Sequence, residues 1–303
     1  MMGALVLAAL AIAAAALPLV AGDYYVGVGL LLLMYVALTQ SWTVLSGLTG
    51  YVSLGHVVFY GLGAYVAVLV WGEVPLAAII VLAALAAFAF AALIGLPALR
   101  VRGPYFVILT FGLAELAKYV VIVIEGWLGK FSRVIFGAPG LVTLFYIMLG
   151  LAIAATLLTF LVRRSRFGRG LLALRENEEA AETVGVPTVR FKLLAYALSA
   201  LVPGAVGSVM VLRQTYFEPA QIFDPVISFT IVTMAVVGGS EDVKGPLLGA
   251  AGFVVLSELL WANAPQTYMV LVGLLLILFV LFAPQGLTGL LFPARRRQPR
   301  SGP

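Results

Sequence analysis

The sequence predicts an all-α polytopic membrane protein of about ten transmembrane helices, on three observations. Of 303 residues 63% are hydrophobic and 10% charged, against roughly 45–50% and about 25% in a soluble domain. Long apolar runs recur from end to end, with no polar block large enough for a second domain, so residues 1–303 read as one membrane domain. The basic residues gather in alternate connections, as they do when a helical chain crosses a bilayer repeatedly.

A crossing helix needs about 20 mostly apolar residues, because the hydrocarbon is about 30 Å thick and each residue rises about 1.5 Å. Ten stretches are expected as spans: Met2–Val20, Tyr24–Leu45, Ser53–Trp71, Pro75–Leu99, Tyr105–Ile124, Leu141–Val162, Leu193–Leu212, Val226–Val237, Pro246–Trp261 and Tyr268–Phe282. The first is apolar like a signal peptide but lacks a basic leading region, so it reads as a span. The eighth is too short to cross straight, so it either extends toward Pro219 or is part of a broken element, which is tolerated only where protein or a water-filled cavity surrounds it. The runs are continuously apolar rather than alternating, which excludes a β-barrel.

With the amino terminus inside, the cytoplasmic connections collect Arg100, Arg102, the cluster from Arg163 to Lys192, Lys244 and the tail from Arg295 to Arg300, fourteen of the 18 basic residues. Both termini are therefore expected in the cytoplasm, and the net charge of +5 is explained by orientation and lipid rather than by nucleic acid. There are no cysteines, hence neither disulfides nor a thiolate metal site. An offset of five spans reverses orientation, so spans two to five and seven to ten are expected to form an inverted repeat.

The loop over residues 163–192 reads RRSRFGRGLLALRENEEAAETVGVPTVRFK. Asn177 is a plausible N-cap, Glu178 and Glu179 fall in a first turn where carboxylates meet the positive helix end, and Gly185 with Pro187 supplies a stop. A short helix over Glu178–Val184 follows. Ala180, Ala181 and Val184 form a small apolar stripe flanked by charge, suited either to docking in a partner's groove or to lying on the membrane surface.

Gly47, Gly50, Gly55, Gly61 and Gly63 fall close together, which permits either local unwinding at membrane depth or close helix packing. An unwound segment exposes half-helix ends that can hold a zwitterion. Gly50, Gly55, His56, Gly61 and Glu115 are thus candidates for a translocation pathway. His56 is the only histidine, too few for a metal site and expected to be a helix-contact residue. Glu115 has Lys118 one turn on, and the pair either ties the helix structurally or lines the pathway. Glu258 has no partner visible in sequence. GGSEDVKGP at Gly238–Pro246 lacks the spacing of a phosphate-binding loop; a turn with Pro246 at a helix start accounts for it. No nucleophile, paired carboxylate, cofactor motif or metal constellation marks an enzyme.

GRGLLALRENEEAAETVGVPTVRFKLLAYALSALVPGAVGSV resembles the cytoplasmic loop and following helix of the branched-chain amino acid permeases of ATP-binding cassette importers. Four further stretches fit that family: LSGLTGYVSLGHVVFYGLGAY (45–65), LRVRGPYFVILTFGLAELAKYV (99–120), VVGGSEDVKGPLLGA (236–250) and FAPQGL (282–287). The resemblance implies a ten-helix arrangement similar to the vitamin B12 importer, in a prokaryotic inner membrane. It implies a second homologous permease subunit, two ATPase subunits that bind the ATP, and an extracytoplasmic substrate-binding protein. It also implies a coupling helix contacting the ATPase, a role that falls on Arg175, Glu176, Asn177, Glu178, Ala180, Ala181 and Gly185. Urea and short-amide permeases look much alike, and a self-sufficient secondary transporter is the alternative from another class. Reporter fusions after Gly129 and after Arg297 are expected to label opposite faces; labelling on one face would show the span count to be wrong by one.

Overall fold

The computed structural model describes residues 2–129, 133–239, 243–263, 270 and 273. In chain order the elements are α1 (Met2–Val20), α2 (Asp23–Trp42) running into a π-helical turn (Thr43–Gly47), α3 (His56–Val70), α4 (Leu76–Ala98), α5 (Pro104–Trp127), β1 (Arg133–Val134), α6 (Leu141–Arg164), α7 (Arg166–Glu176), α8 (Glu178–Thr183), α9 (Thr188–Gln214), β2 (Tyr216–Phe217), α10 (Pro219–Ile222), α11 (Pro225–Gly238) and α12 (Lys244–Asn263). Among the described residues six helical segments are long and apolar enough to cross a bilayer: Asp23–Gly47, Leu76–Ala98, Pro104–Trp127, Leu141–Arg164, Thr188–Gln214 and Pro219–Gly238. The chain is a multi-pass helical membrane protein.

Two expected spans differ in form. The third begins at His56 rather than Ser53, and its 15 residues reach about 22 Å, because the preceding residues are unwound. The eighth is both extended and broken: α10 starts at Pro219, and Asp224 then caps α11 by accepting from the Val226 amide at 2.9 Å. The tenth, Tyr268–Phe282, lies almost wholly outside the described residues, as does the tail 293–303.

The connections sort to two ends of the bundle. At one end Arg175 of α7 donates to the Gly47 carbonyl (2.9 Å), and Arg102 of the α4–α5 turn pairs with Glu178 (3.2 Å). At the other end β1 pairs antiparallel with β2, Trp71 donates to the Phe136 carbonyl, and Tyr24 at the start of α2 donates to Glu258 near the end of α12. Glu258, alone in the sequence reading, thus has its partner. Beneath the β-pair, Glu125 is 2% exposed and receives a bidentate bond from Arg133 (2.8 and 2.7 Å) and one from Tyr65 (2.8 Å).

α2 and α9 form the buried centre and run antiparallel. Ser41 donates to the Ser199 carbonyl at 2.6 Å, while Gly27 at the other end of α2 lies under Arg213. α9 packs mainly on α4 and α3, and α2 mainly on α6, α12 and α11. The seat for α9 on α4 is a stripe at a spacing of four, Ile79, Ala83, Ala87, Ala91 and Gly95, whose small side chains let the backbones close up. α3 approaches α9 still more tightly. A Cβ on Gly63 would lie 1.9 Å from the Gly204 carbonyl oxygen, and one on Gly207 the same distance from that of Tyr60.

Gly63→Ala is therefore expected to push α3 and α9 apart and lower stability by about 1–3 kcal/mol, as overpacking does. Gly112→Ala on α5, where nothing lies within 4 Å of the added Cβ, should be neutral or slightly stabilising. Thermal unfolding of the purified variants in detergent checks both.

Candidate functional site

The stretch between the π-helical turn and α3 is unwound, and runs from the loop end of the bundle into its interior. Gly50 has φ +77°, a region that costs other residues a steric penalty, and residues 50–55 are neither helix nor strand. Its depth follows from its partners. The Leu54 amide donates to Thr110 Oγ1 at 3.1 Å, and Thr110 lies six residues into α5, about 9 Å along its axis.

In hydrocarbon each backbone group left without a partner costs several kcal/mol, so side chains from four helices supply them. Ser46 Oγ accepts from the Ser53 amide, Ser53 Oγ from Gly55, and Ser228 Oγ on α11 from Val57 (3.3, 3.2 and 3.1 Å). The Trp42 indole donates to the Ser53 carbonyl at 2.9 Å. His56 begins α3 fully buried, edge-on to the Phe59 ring, and neither ring nitrogen is hydrogen-bonded to any of the described residues. The sequence led us to expect a satisfied contact residue; the structure shows a buried imidazole whose polar atoms have no partner among the described residues.

The loop after α6 holds one more helix than the sequence suggested. Ser165 caps α7 by accepting from the Gly168 amide (3.0 Å), and α7 buries Leu171 and Leu174 while Phe167 stacks edge-on against Phe191 of α9. The missed signal was the spacing of Phe167, Leu171 and Leu174 after a capping serine.

α8 follows. Asn177 Oδ1 accepts from the Ala180 amide at 3.0 Å. The helix ends in a Schellman motif, with Gly185 at φ +86°, Val186 N–H on the Ala181 carbonyl and Gly185 N–H on that of Glu182. The expected apolar stripe is split. Ala181 is 3% exposed and turned into its own chain, whereas Ala180 is exposed and Val184 is 78% exposed. On so short a helix, positions one residue apart point about 100° from each other, so Ala180 and Ala181 cannot both face outward.

α8 is anchored through its first residue. Glu178 accepts from Lys192 of α9 (2.7 Å) and from the Tyr51 phenol of the unwound segment (2.8 Å), and pairs with Arg102. Lys192, its side chain 4% exposed, also donates to Tyr51 at 3.2 Å. Burial raises the pKa of the Glu178 carboxyl, but the bonds from Lys192 and Tyr51 and the charges of Lys192 and Arg102 outweigh it and hold the pKa below the usual 4.5.

One carboxylate thus joins the loop helix, a central helix and the unwound segment. Beside it opens a cleft of about 670 Å³ lined by Thr49–Val52, by Arg102–Pro104, Val107 and Ile108 around the start of α5, and by Leu174–Glu178. The structure brings Gly50 together with Arg175, Glu176, Asn177 and Glu178, two groups that the sequence kept apart. Gly55 and His56 lie deeper on the same strand of chain. Gly61 instead serves packing, under the Phe223 ring at the α10–α11 break. Glu115 is bonded to Lys118 on its own helix at 2.6 Å; among the described residues no hydrogen bond or ion pair joins it to the cleft. Nor do those residues hold a cluster of three metal-ligating side chains.

Comparison with known proteins decides the family. A family described as branched-chain amino acid transport system / permease component matches residues 24–281. The chain belongs to that permease family. It is 28% identical to the high-affinity branched-chain amino acid transport system permease protein LivM of Escherichia coli (strain K12), across 93% of this chain and 74% of that protein. The LivM of Salmonella typhimurium is equally similar. The L-arabinose transport system permease protein AraH of Escherichia coli (strain K12) is 33% identical over 40% of this chain and 39% of its own length. No solved structure matches significantly. The permease family match begins at α2 and leaves α1 outside it, as expected of a helix that packs at the margin on α2 and α6.

Two outcomes are expected for Glu178. Lys192→Met, which removes the buried charged partner and leaves Tyr51 and the exposed Arg102, should loosen α8 by about 1.5–3 kcal/mol, whereas Arg102→Met, removing a partner 57% exposed, should change it by less than about 1 kcal/mol. Because its folded pKa is lowered, Glu178 contributes stability that is complete above the ordinary carboxylate value and is lost as pH falls through the folded one. Hydrogen exchange at the α8 amides, corrected for intrinsic rate, should stay slow at about pH 5 and quicken only in stronger acid.

Proposed function

We propose that the chain is the permease subunit of an ATP-binding cassette importer that moves branched-chain or related small amino acids by alternating access. The observation that carries this reading is the Glu178 junction, which ties an exposed loop helix to an unwound segment at membrane depth. A subunit that does no chemistry itself needs such a link between the place where force arrives and the place where the path opens. On this reading α8 is the coupling helix, and it presents Ala180 and Val184 to a groove on the ATPase. Arg175, Glu176, Asn177, Glu178, Ala181 and Gly185 hold it in place. ATP is hydrolysed in two partner subunits, a second homologous permease completes the path, and a binding protein delivers substrate from outside. The chain lies in a prokaryotic inner membrane with both termini cytoplasmic.

The antiparallel pair α2 and α9 supports an inverted repeat in a ten-helix arrangement like that of the vitamin B12 importer. Each central helix is followed by a break and a short helix, α3 after α2 and α11 after α9, and the two breaks fall at opposite ends. A self-sufficient secondary transporter would place the work on Glu115, Lys118 and Glu258, but Glu115 and Lys118 neutralise each other and Glu258 is bonded to Tyr24. Urea or short-amide transport remains the alternative within the family. The likeness to AraH favours testing a sugar as well.

Val184→Asp and Ala180→Arg put an unpaired charge on the exposed face of α8 without touching its anchor. Co-purification of the ATPase subunits and substrate-stimulated hydrolysis should fall at least about tenfold, the scale of burying an unpaired charge in an interface, while Glu115→Gln leaves assembly intact. Variants that assemble and hydrolyse like the parent would remove α8 as the coupling element.

A further inference from the structure

The exposed face of α6 carries an apolar stripe, Tyr146, Ile153, Leu157 and Leu161, recurring at helical spacing. In a helix that crosses a bilayer such a stripe faces lipid. The next residue on it is Arg164, one turn beyond Leu161. From Tyr146 to Arg164 the helix rises about 27 Å, close to the roughly 30 Å of the hydrocarbon, so Arg164 stands where headgroup phosphates begin. Its guanidinium is held over the Phe160 ring, 4.2 Å from the centroid, a contact that fixes the charge without supplying an acid to neutralise it.

α7 turns sharply off this end of α6. Ser165 Oγ donates to the Val162 carbonyl at 2.6 Å and accepts from the Gly168 amide at 3.0 Å. A Cβ on Gly168 would lie 2.1 Å from the same carbonyl oxygen, and one on Gly170 would lie 2.4 Å from the Phe191 ring of α9. The first turn of α7 is thus packed directly against the last turn of α6. It carries Arg166 and, one helical turn on, Arg169, and it contains no acid. Arg164, Arg166 and Arg169 are all exposed, and none pairs with an acid among the described residues, whereas Arg102, Arg133 and Lys192 are all matched within the chain. Like charges held this close repel one another, and an anion from outside the chain is what relieves them.

We propose that the corner between α6 and α7 is a binding site for the phosphate of an anionic phospholipid. The acyl chains lie along the exposed stripe of α6, and the guanidinium forks take the phosphate oxygens. A choline lipid carries a cation beside its phosphate, which three arginines repel, so net negative charge selects the ligand. Asn177 ends α7 and caps α8, so a lipid that steadies α7 steadies the loop helix as well. The site belongs to the chain itself and does not rest on the importer reading.

The test follows hydrogen exchange at the α7 amides of the full chain in neutral detergent micelles, titrated with phosphatidylglycerol, phosphatidylcholine or inorganic phosphate. Phosphatidylglycerol should slow exchange saturably, and the other two should not at the same concentration. Replacing Arg164, Arg166 and Arg169 together by Gln should weaken the apparent affinity at least about tenfold, since each basic residue near an anionic surface is worth about fivefold. Arg164→Lys, which keeps the charge but loses the fork, should weaken it about threefold and carries the reading if the triple variant fails to fold. Gln at Arg295, Arg296 and Arg297, an equal loss of charge elsewhere, should leave it unchanged. Equal protection by inorganic phosphate overturns the lipid assignment in favour of a soluble anion. Equal protection by phosphatidylcholine, or an equal loss in the tail variant, shows that no specific site exists. Unchanged affinity in the α6–α7 variants overturns the proposal, and if co-purification of the ATPase subunits falls in them instead, the corner belongs to a protein partner.

Discussion

Inside hydrocarbon a backbone amide or carbonyl has no water to fall back on, and that single constraint organises the molecule. Where the chain is helical the helix meets it. Where the chain leaves the helix, at residues 50–55, the requirement passes to side chains, and the serines, the threonine and the tryptophan that answer it come from α2, the π-helical turn, α5 and α11. The unwound segment is consequently a meeting point of elements that have few other reasons to converge. Its irregularity is stabilised by its surroundings, which makes it sensitive to any relative movement of those helices.

The Glu178 junction extends the same logic to charge. A loop helix of six residues has too little apolar surface to fix its own position. It is held instead by one carboxylate that three donors share, one on a central helix, one on the unwound segment and one on the α4–α5 turn. A shift of α8 must therefore be felt at Tyr51, and a rearrangement around Tyr51 must be felt at α8. That reciprocity needs no long chain of intermediates, because the two elements are in direct contact.

The sequence made local features legible and left distant ones obscure. The cap at Asn177 and the stop at Gly185 are written within a few residues, and α8 appears between them. The crowding of glycines around Gly50 announced something unusual, but only three-dimensional neighbours distinguish the residue that unwinds, Gly50, from those that allow close approach, Gly61 and Gly63. The stripe of Ala180, Ala181 and Val184 was a true pattern of apolar residues, yet a short helix between a protein and a partner gives no sign of which face belongs to which. Tyr51, Arg102 and Lys192 come from three separate stretches, and no periodicity could have joined them to Glu178. α7 was legible and overlooked, because its charged residues obscured the regular placing of Phe167, Leu171 and Leu174.

The small β-pair bears on the order in which the molecule can be made. β1 follows α5 and β2 follows α9, so the strands cannot meet until α6, α7, α8 and α9 have all been synthesised and α9 has crossed the bundle. The Arg133–Glu125 bond needs no such wait, since both residues emerge before α6. That bond lies wholly within the first half of the chain, whereas the pairing of β1 with β2 joins the first half to the second. Pairing with β2 becomes the step that closes the first half onto the second, and it reports that α9, the most deeply buried helix of the six candidate spans, has arrived in place.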